Sequence, residues 1–269
     1  QAHRTCACMA TPPQFEGNAA ALLPNINTTR RQFPVTMITV CDKEAGKLKA
    51  SLRCNKKLVD KIIIITSAGD KKTQQLCRDE GITCHITSAM TKGGAKFNKG
   101  RAIHEVQKSL HSSPGMANTF VMLVDADICM PETIWSTMPP QPAGGVLYSA
   151  VDRCMFPSPE AFSAGWPALQ GHWLSSTLGM FQSYVVGPSA PLYPEDSPTA
   201  AKSDYEYALR FPQIATLPLF LLHMGIAEDR GRDWQGYKGN EARWEDAMPP
   251  PPASCPCCVY PARKPWQRQ

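Results

Sequence analysis

Along the middle of the chain, wholly apolar runs alternate with stretches whose apolar residues recur at helical spacing. The run "VTMITVC" (35–41) predicts a strand, and "EAGKLKASLRCNKKL" (44–58), with Leu48, Leu52 and Leu58 near helical spacing, predicts a helix. "KIIIIT" (61–66) places β-branched residues in a row without polar alternation, the pattern of a strand covered on both faces in a parallel sheet. "DKKTQQLCRDEG" (70–81) predicts a helix closed by Gly81, and "TCHITS" (83–88) a short strand. "NKGRAIHEVQKSL" (98–110) predicts a helix with Ala102, Ile103, Val106 and Leu110 on one face, and "FVMLVDAD" (120–127) a fourth strand. This alternation implies right-handed crossovers and a doubly wound α/β sheet, with ligands expected beyond the carboxyl ends of the strands.

The second half is less regular. "GVLYSAV" (145–151), "MFQSYVV" (180–186) and "ATLPLFLLHMG" (215–225) predict strands. "SPTAAKSDYEYALRF" (197–211) predicts a helix capped by Ser197, with Pro198 in its first turn. The pattern divides the chain into an arm without periodicity over 1–33, an α/β domain over 34–245, and a tail rich in Pro and Cys over 246–269. Pro249 to Pro252 make that tail extended and polyproline-like.

Composition narrows the classes. A chain of 269 residues with 43% hydrophobic content can build one large α/β domain. The net charge of +5 is scattered, and its densest pairs, Lys56-Lys57 and Lys71-Lys72, flank predicted helices. That describes solvated helix faces rather than a nucleic-acid stripe, and it suits a small anionic substrate. No apolar run reaches about 18 residues, so no transmembrane segment is expected. The chain begins at Gln1, which suggests a processed product. The readings for location are the cytoplasm, or an organelle interior after removal of a targeting segment, with the Golgi lumen ranked behind them. Among the 11 cysteines, Cys41, Cys54, Cys77, Cys84, Cys129 and Cys154 read as small buried hydrophobes in a reducing compartment. Cys6, Cys8, Cys255, Cys257 and Cys258 lie in the terminal segments, as free thiols, a zinc site or disulfides. Asn27-Thr28-Thr29 is a glycosylation sequon that matters only if the chain is secreted.

Candidate chemistry gathers at the predicted strand ends: Asp42, the segment from Ser67 to Asp70, and Asp125 with Asp127. Two aspartates two positions apart on extended chain point the same way and can address one hard divalent cation. Equally, one of them can cap the helix around "PETIWSTM". No dinucleotide fingerprint and no phosphate-binding loop of the G-x-x-x-x-G-K-[ST] type occurs. "TKGGAKFNKG" (91–100) is either a flexible loop or a phosphate contact through Lys96, Asn98, Lys99 and Arg101.

Four segments together carry a resemblance. "VTMITVCDKEAGKLKASL", "FNKGRAIHEV", "FVMLVDADICMP" and "SDYEYALRF", followed by "LFLLHMG", resemble the nucleotide-diphospho-sugar transferases of the GT-A fold, above all glycosyltransferase family 2. "FNKGRAIHEV" is also similar to a segment of the galactosyltransferases. The resemblance spans roughly residues 34–225. It implies a GT-A-type, Rossmann-like mixed and mostly parallel sheet flanked by helices, with extended terminal tails. It also implies a Mn2+ or Mg2+ ion held by Asp125, Asp127 and His223, and a nucleotide-diphosphate sugar contacted by Asp42, Asp70, Lys96, Asn98, Lys99 and Asp125. Asp204 would be the base for an acceptor hydroxyl on a glycan, protein or small molecule, with Glu206 as its substitute. Transfer would be inverting. Trp166, Trp173, Phe181 and Tyr184 either line an acceptor site or pack in the core.

Three departures from the family pattern shape the alternatives, one of them His104 where the family's helix usually has asparagine. The segment after the second strand reads "TSAGD", with Asp70 its only acid, and Ser203-Asp204 stands where the family has two acids. They favour a GT-A domain that no longer catalyses and serves as an accessory subunit, bound to other proteins through its tails. A nucleotidyltransferase is the third reading. It needs a basic glycine-rich loop after the first strand, and "CDKEAGK" is a poor version of one.

Overall fold

The computed structural model describes residues 33–95, 97–156, 170–173, 179–197 and 200–224. The strands are β1 (Val35–Val40), β2 (Lys61–Thr66), β3 (Thr83–Ile86), β4 (Phe120–Val124), β5 (Ile128–Cys129), β6 (Val146–Phe156), β7 (Gln170–Trp173), β8 (Phe181–Val185) and β9 (Gln213–Met224). The α-helices are α1 (Ala45–Asn55), α2 (Lys71–Glu80), α3 (Lys99–Ser112), α4 (Ile134–Thr137) and α5 (Ala200–Ala208). The strands form one sheet in the order β3-β2-β1-β4-β8-β6-β9-β5, with β7 added on β6. β3, β2, β1 and β4 run parallel, while β8 is antiparallel to both β4 and β6, and β6 runs parallel to β9. The parallel half is the one the strand–helix alternation predicted, and the whole is a Rossmann-like mixed α/β sheet. β2 and β3 extend from one side of β1 and β4 lies on the other, so the order reverses at β1 and β4. Crevices at such reversals are where α/β sheets bind ligands.

The apolar runs bury both faces of the sheet. Met37, Ile62, Ile64, Phe120 and Met122 pack with Leu48 and Leu52 of α1 and Leu76 of α2. Their neighbours Ile38, Ile63, Ile65, Val121 and Leu123 pack with Ala102, Ile103, Val106 and Leu110 of α3 and Tyr207 of α5. Side chains alternate across a strand, so an unbroken apolar run feeds both cores at once. Gly81 closes α2 in the left-handed conformation at φ 64°, as its position predicted. The helix expected around "PETIWSTM" is a single turn, α4. Among the described residues, no helix is long and apolar enough to cross a membrane.

One expectation is corrected. Cys54 and Cys129 are not separate buried thiols but form a disulfide, with their Cα atoms 5.7 Å apart. Spacing along the chain could not show this, because the fold joins positions 75 residues apart. Cys41, Cys77 and Cys84 remain free. The terminal cysteines, the sequon and the 246–269 tail lie outside the described residues.

Candidate functional site

β4 delivers Asp125 and Asp127 to the carboxyl edge of the sheet, beside β1. α1 holds the segment that follows. Ser51 Oγ donates to Ala126 O at 2.8 Å, Asn55 Nδ2 donates to Ile128 O at 2.8 Å, and Met130 N–H donates to Asn55 Oδ1 at 2.8 Å. The Cys54–Cys129 bridge adds a covalent tie from the same turn of α1. The acid pair therefore stands on a clamped backbone. Asp127 does not cap α4, whose N-cap position is Thr133.

Asp127 is buried and faces His223, which β9 brings opposite β5. His223 Nε2 lies 3.0 Å from Asp127 Oδ2. Burial alone would raise the Asp127 carboxyl, but the imidazole, with Lys47 adding to it, holds it below the usual carboxylate range. The contact is a hydrogen bond, so the two side chains would have to give it up to hold an ion between them. The carboxylate suits Mn2+ or Mg2+, whereas the imidazole is a donor that softer divalent ions take more readily than Mg2+. Among the described residues, no three His, Cys, Asp or Glu side chains converge as a ready metal site.

Asp125 is turned elsewhere. Its Oδ1 accepts from Lys99 Nζ at 3.0 Å, and the same ammonium lies 3.1 Å from Asp204 Oδ1 and 3.2 Å from Gly179 O. Lys99 is only 5% exposed, so this is a buried cation between two buried or half-buried anions. Burial would lower the Lys99 ammonium, but Asp125 and Asp204 outweigh it and hold it above the lysine range. Burial likewise raises Asp125, with Lys99 opposing and Asp127 adding to the rise.

Asp204 enters from α5. It is buried, and Tyr193 Oη donates to its Oδ1. Its own backbone carbonyl accepts from Gln182 Nε2 at 3.0 Å. Burial pushes its carboxyl up to about 6, with Lys99 opposing the rise and Asp125 adding to it. A carboxylate with a proton affinity near neutrality is matched to taking a proton from a hydroxyl.

The other predicted residues fall around this centre. Asp42 is half-buried and accepts from Ser67 Oγ. Asp70 caps α2: its Oδ1 accepts from Thr73 N–H at 3.0 Å and its Oδ2 from Lys43 N–H at 2.6 Å. Burial would raise its carboxyl, but the bonds from Thr73, Lys43 and Thr66 hold it low. Asn98 caps α3 by accepting from Arg101 N–H at 3.0 Å, while its Nδ2 donates to Glu195 O at 3.0 Å. Arg101 Nε donates to the same carbonyl at 3.0 Å. Glu206 pairs with Lys202 on α5 at 3.5 Å, turned to a different partner from Asp204. Phe181 and Tyr184 are core residues. Lys96, Trp166 and the Trp173 side chain lie outside the described residues.

Sequence reasoning missed Tyr193, Gly179, Lys47, Ser51 and Asn55. Tyr193 and Gly179 lie in irregular segments without periodicity. Ser51 and Asn55 signal themselves only as polar residues on the otherwise buried face of α1.

No family model matches this sequence, and no curated protein matches it. Among solved structures, the chain is similar to a mycobacterial protein at 16% identity, over 74% of this chain and 69% of that one, with a TM-score of 0.47. It is similar to glucosyl-3-phosphoglycerate synthase from Mycobacterium tuberculosis in complex with Mg2+ and uridine-diphosphate at 15% identity, over 75% of each chain, with a TM-score of 0.45. It is also similar to 4-diphosphocytidyl-2C-methyl-D-erythritol synthase at 13% identity, over 80% of this chain and 95% of that one, with a TM-score of 0.41. At these identities and scores the likeness assigns no activity.

Proposed function

We propose that this chain is a nucleotide-diphospho-sugar transferase of the GT-A type, moving a sugar to an acceptor hydroxyl with the help of Mn2+ or Mg2+. The observation that carries the reading is the meeting of Asp127 and His223 at 3.0 Å, just beyond the carboxyl end of β4. Asp127 and His223 would hold the ion, which when bound neutralises the charge developing on the diphosphate leaving group. Lys99 places a second positive charge beside it, on Asp125. Asp204, its proton affinity raised by burial, would take the proton of the acceptor hydroxyl, the role of the base in an inverting displacement. The Cys54–Cys129 bridge supports work in an oxidising compartment, against the reducing one that the cysteine pattern suggested.

Isothermal titration of UDP, GDP and their sugars in the presence of Mn2+ tests the reading. Metal-dependent binding that disappears in the Asp127→Ala, His223→Ala double variant is the expected result. Absence of binding by any of these nucleotides overturns it.

One observation favours the accessory-subunit reading. Asp70 and Asn98, two of the proposed nucleotide contacts, are spent as helix caps. A wild-type protein that binds no nucleotide and elutes from native extract with a large assembly would establish it.

A further inference from the structure

Tyr193 is 1% exposed and lies in the loop between β8 and α5. A tyrosine that donates to a buried carboxylate can simply be satisfying its own hydroxyl. What sets this one apart is how firmly the rest of it is tied down. Its backbone N–H donates to Gln107 Oε1 at 2.7 Å, and its carbonyl lies 2.7 Å from His104 Nδ1. Its ring stacks on Tyr207 with centroids 4.4 Å apart. Gly100 completes the seat, because a Cβ there would come within 2.5 Å of Pro194 O and 3.3 Å of the Tyr193 ring. Gly100, His104 and Gln107 all belong to α3, the helix whose first residue is Lys99. One rigid helix thus places both groups that bond Asp204 Oδ1, the Lys99 ammonium and the Tyr193 hydroxyl.

The other carboxylate oxygen is bounded by Gly179. A Cβ at that position would lie 1.9 Å from Asp204 Oδ2, and the backbone there has φ +62°. The backbone of Asp204 is held separately by Gln182. The carboxylate is therefore fixed from three directions, and only a glycine leaves it room.

We infer that Tyr193 is a positioning residue: its hydroxyl, seated on α3, fixes the orientation of the Asp204 carboxylate, the base of the proposed transfer. The inference rests on the transferase reading for its catalytic consequence, but its structural content stands apart from it. Tyr193→Phe keeps the ring and its stacking and removes only the hydroxyl, so the fold is retained.

The test combines a double-mutant cycle with a crystal structure. Turnover is read as UDP released from UDP-glucose in the presence of Mn2+, for wild type, Tyr193→Phe, Asp204→Asn and the double variant. UDP affinity is read in parallel by calorimetry. Misplacement of a reacting group costs roughly tenfold to a hundredfold, so Tyr193→Phe should lose turnover by that factor with UDP affinity unchanged. In the Asp204→Asn background the same change should cost nothing more, because residues that act through one another are not additive. Wild-type turnover in Tyr193→Phe, or losses that multiply in the double variant, overturns the inference. Should wild type release no UDP from UDP-glucose, the transferase reading is judged on nucleotide binding and the positioning role on structure alone. The crystal structure of Tyr193→Phe then decides: a displaced Asp204 carboxylate upholds the positioning role, and an unmoved one overturns it.

Discussion

His223 and Asp127 are 96 residues apart in sequence, and their side chains meet at 3.0 Å where β9 runs beside β5. Both are buried, and the imidazole helps to offset the desolvation of the Asp127 carboxylate. If the pair also chelates, Asp127→Ala and His223→Ala should each weaken Mn2+-dependent UDP binding by about tenfold or more, since even outer partners of metal ligands contribute that much. Calorimetry with and without chelator separates this from a purely structural loss, which would lower binding equally in both conditions.

Lys99 is the only cation bonded to both Asp125 and Asp204 among the described residues. Lys99→Met should cost about 3–5 kcal/mol, because it leaves two carboxylates without a counter-charge in a largely dry site. Denaturant melts measure this. The deficit should shrink as the pH falls, since protonating either carboxylate relieves their repulsion.

Asp204 gives a signed pH dependence. Its folded value near 6 lies above its usual 3.8, so between these values the folded state binds more protons than the unfolded one. Its contribution to stability is fully present below the unfolded value and is lost as the pH rises through about 6. Asp204→Asn removes the titrating group, so it should flatten that slope in thermal melts run from about pH 4 to about pH 7. Turnover should run the opposite way, rising through the same window as the base ionises.

The Cys54–Cys129 bridge should appear as one linked peptide pair in a non-reducing digest. Reduction, or Cys54→Ser together with Cys129→Ser, should lower stability by about 2–4 kcal/mol. Because the bridge anchors the segment just after Asp127, nucleotide binding should weaken as well. Unlinked peptides from protein isolated without reductant would remove the case for an oxidising compartment.

Much of the fold was legible because its signals are local. Runs such as "KIIIIT" and the apolar face of residues 98–110 state their own structure and burial, and Gly81 marks its helix end. The four parallel strands follow from repetition of those signals. Sequence reasoning offered Asp70 and Asn98 as nucleotide contacts and missed their cap roles, although each stands immediately before a helical pattern.

By itself, the sequence determined the strand–helix order, the two-faced core, and the delivery of Asp125 and Asp127 to the carboxyl end of the fourth strand. Only the tertiary structure decided which groups meet there. It set His223 against Asp127 and Lys99 between Asp125 and Asp204, and it joined Cys54 to Cys129. It also pressed Tyr193 and Gly179 onto one carboxylate. The physical reason is that periodicity is written over a few residues of backbone geometry, whereas each of these contacts depends on the register of a sheet whose partners lie far apart along the chain.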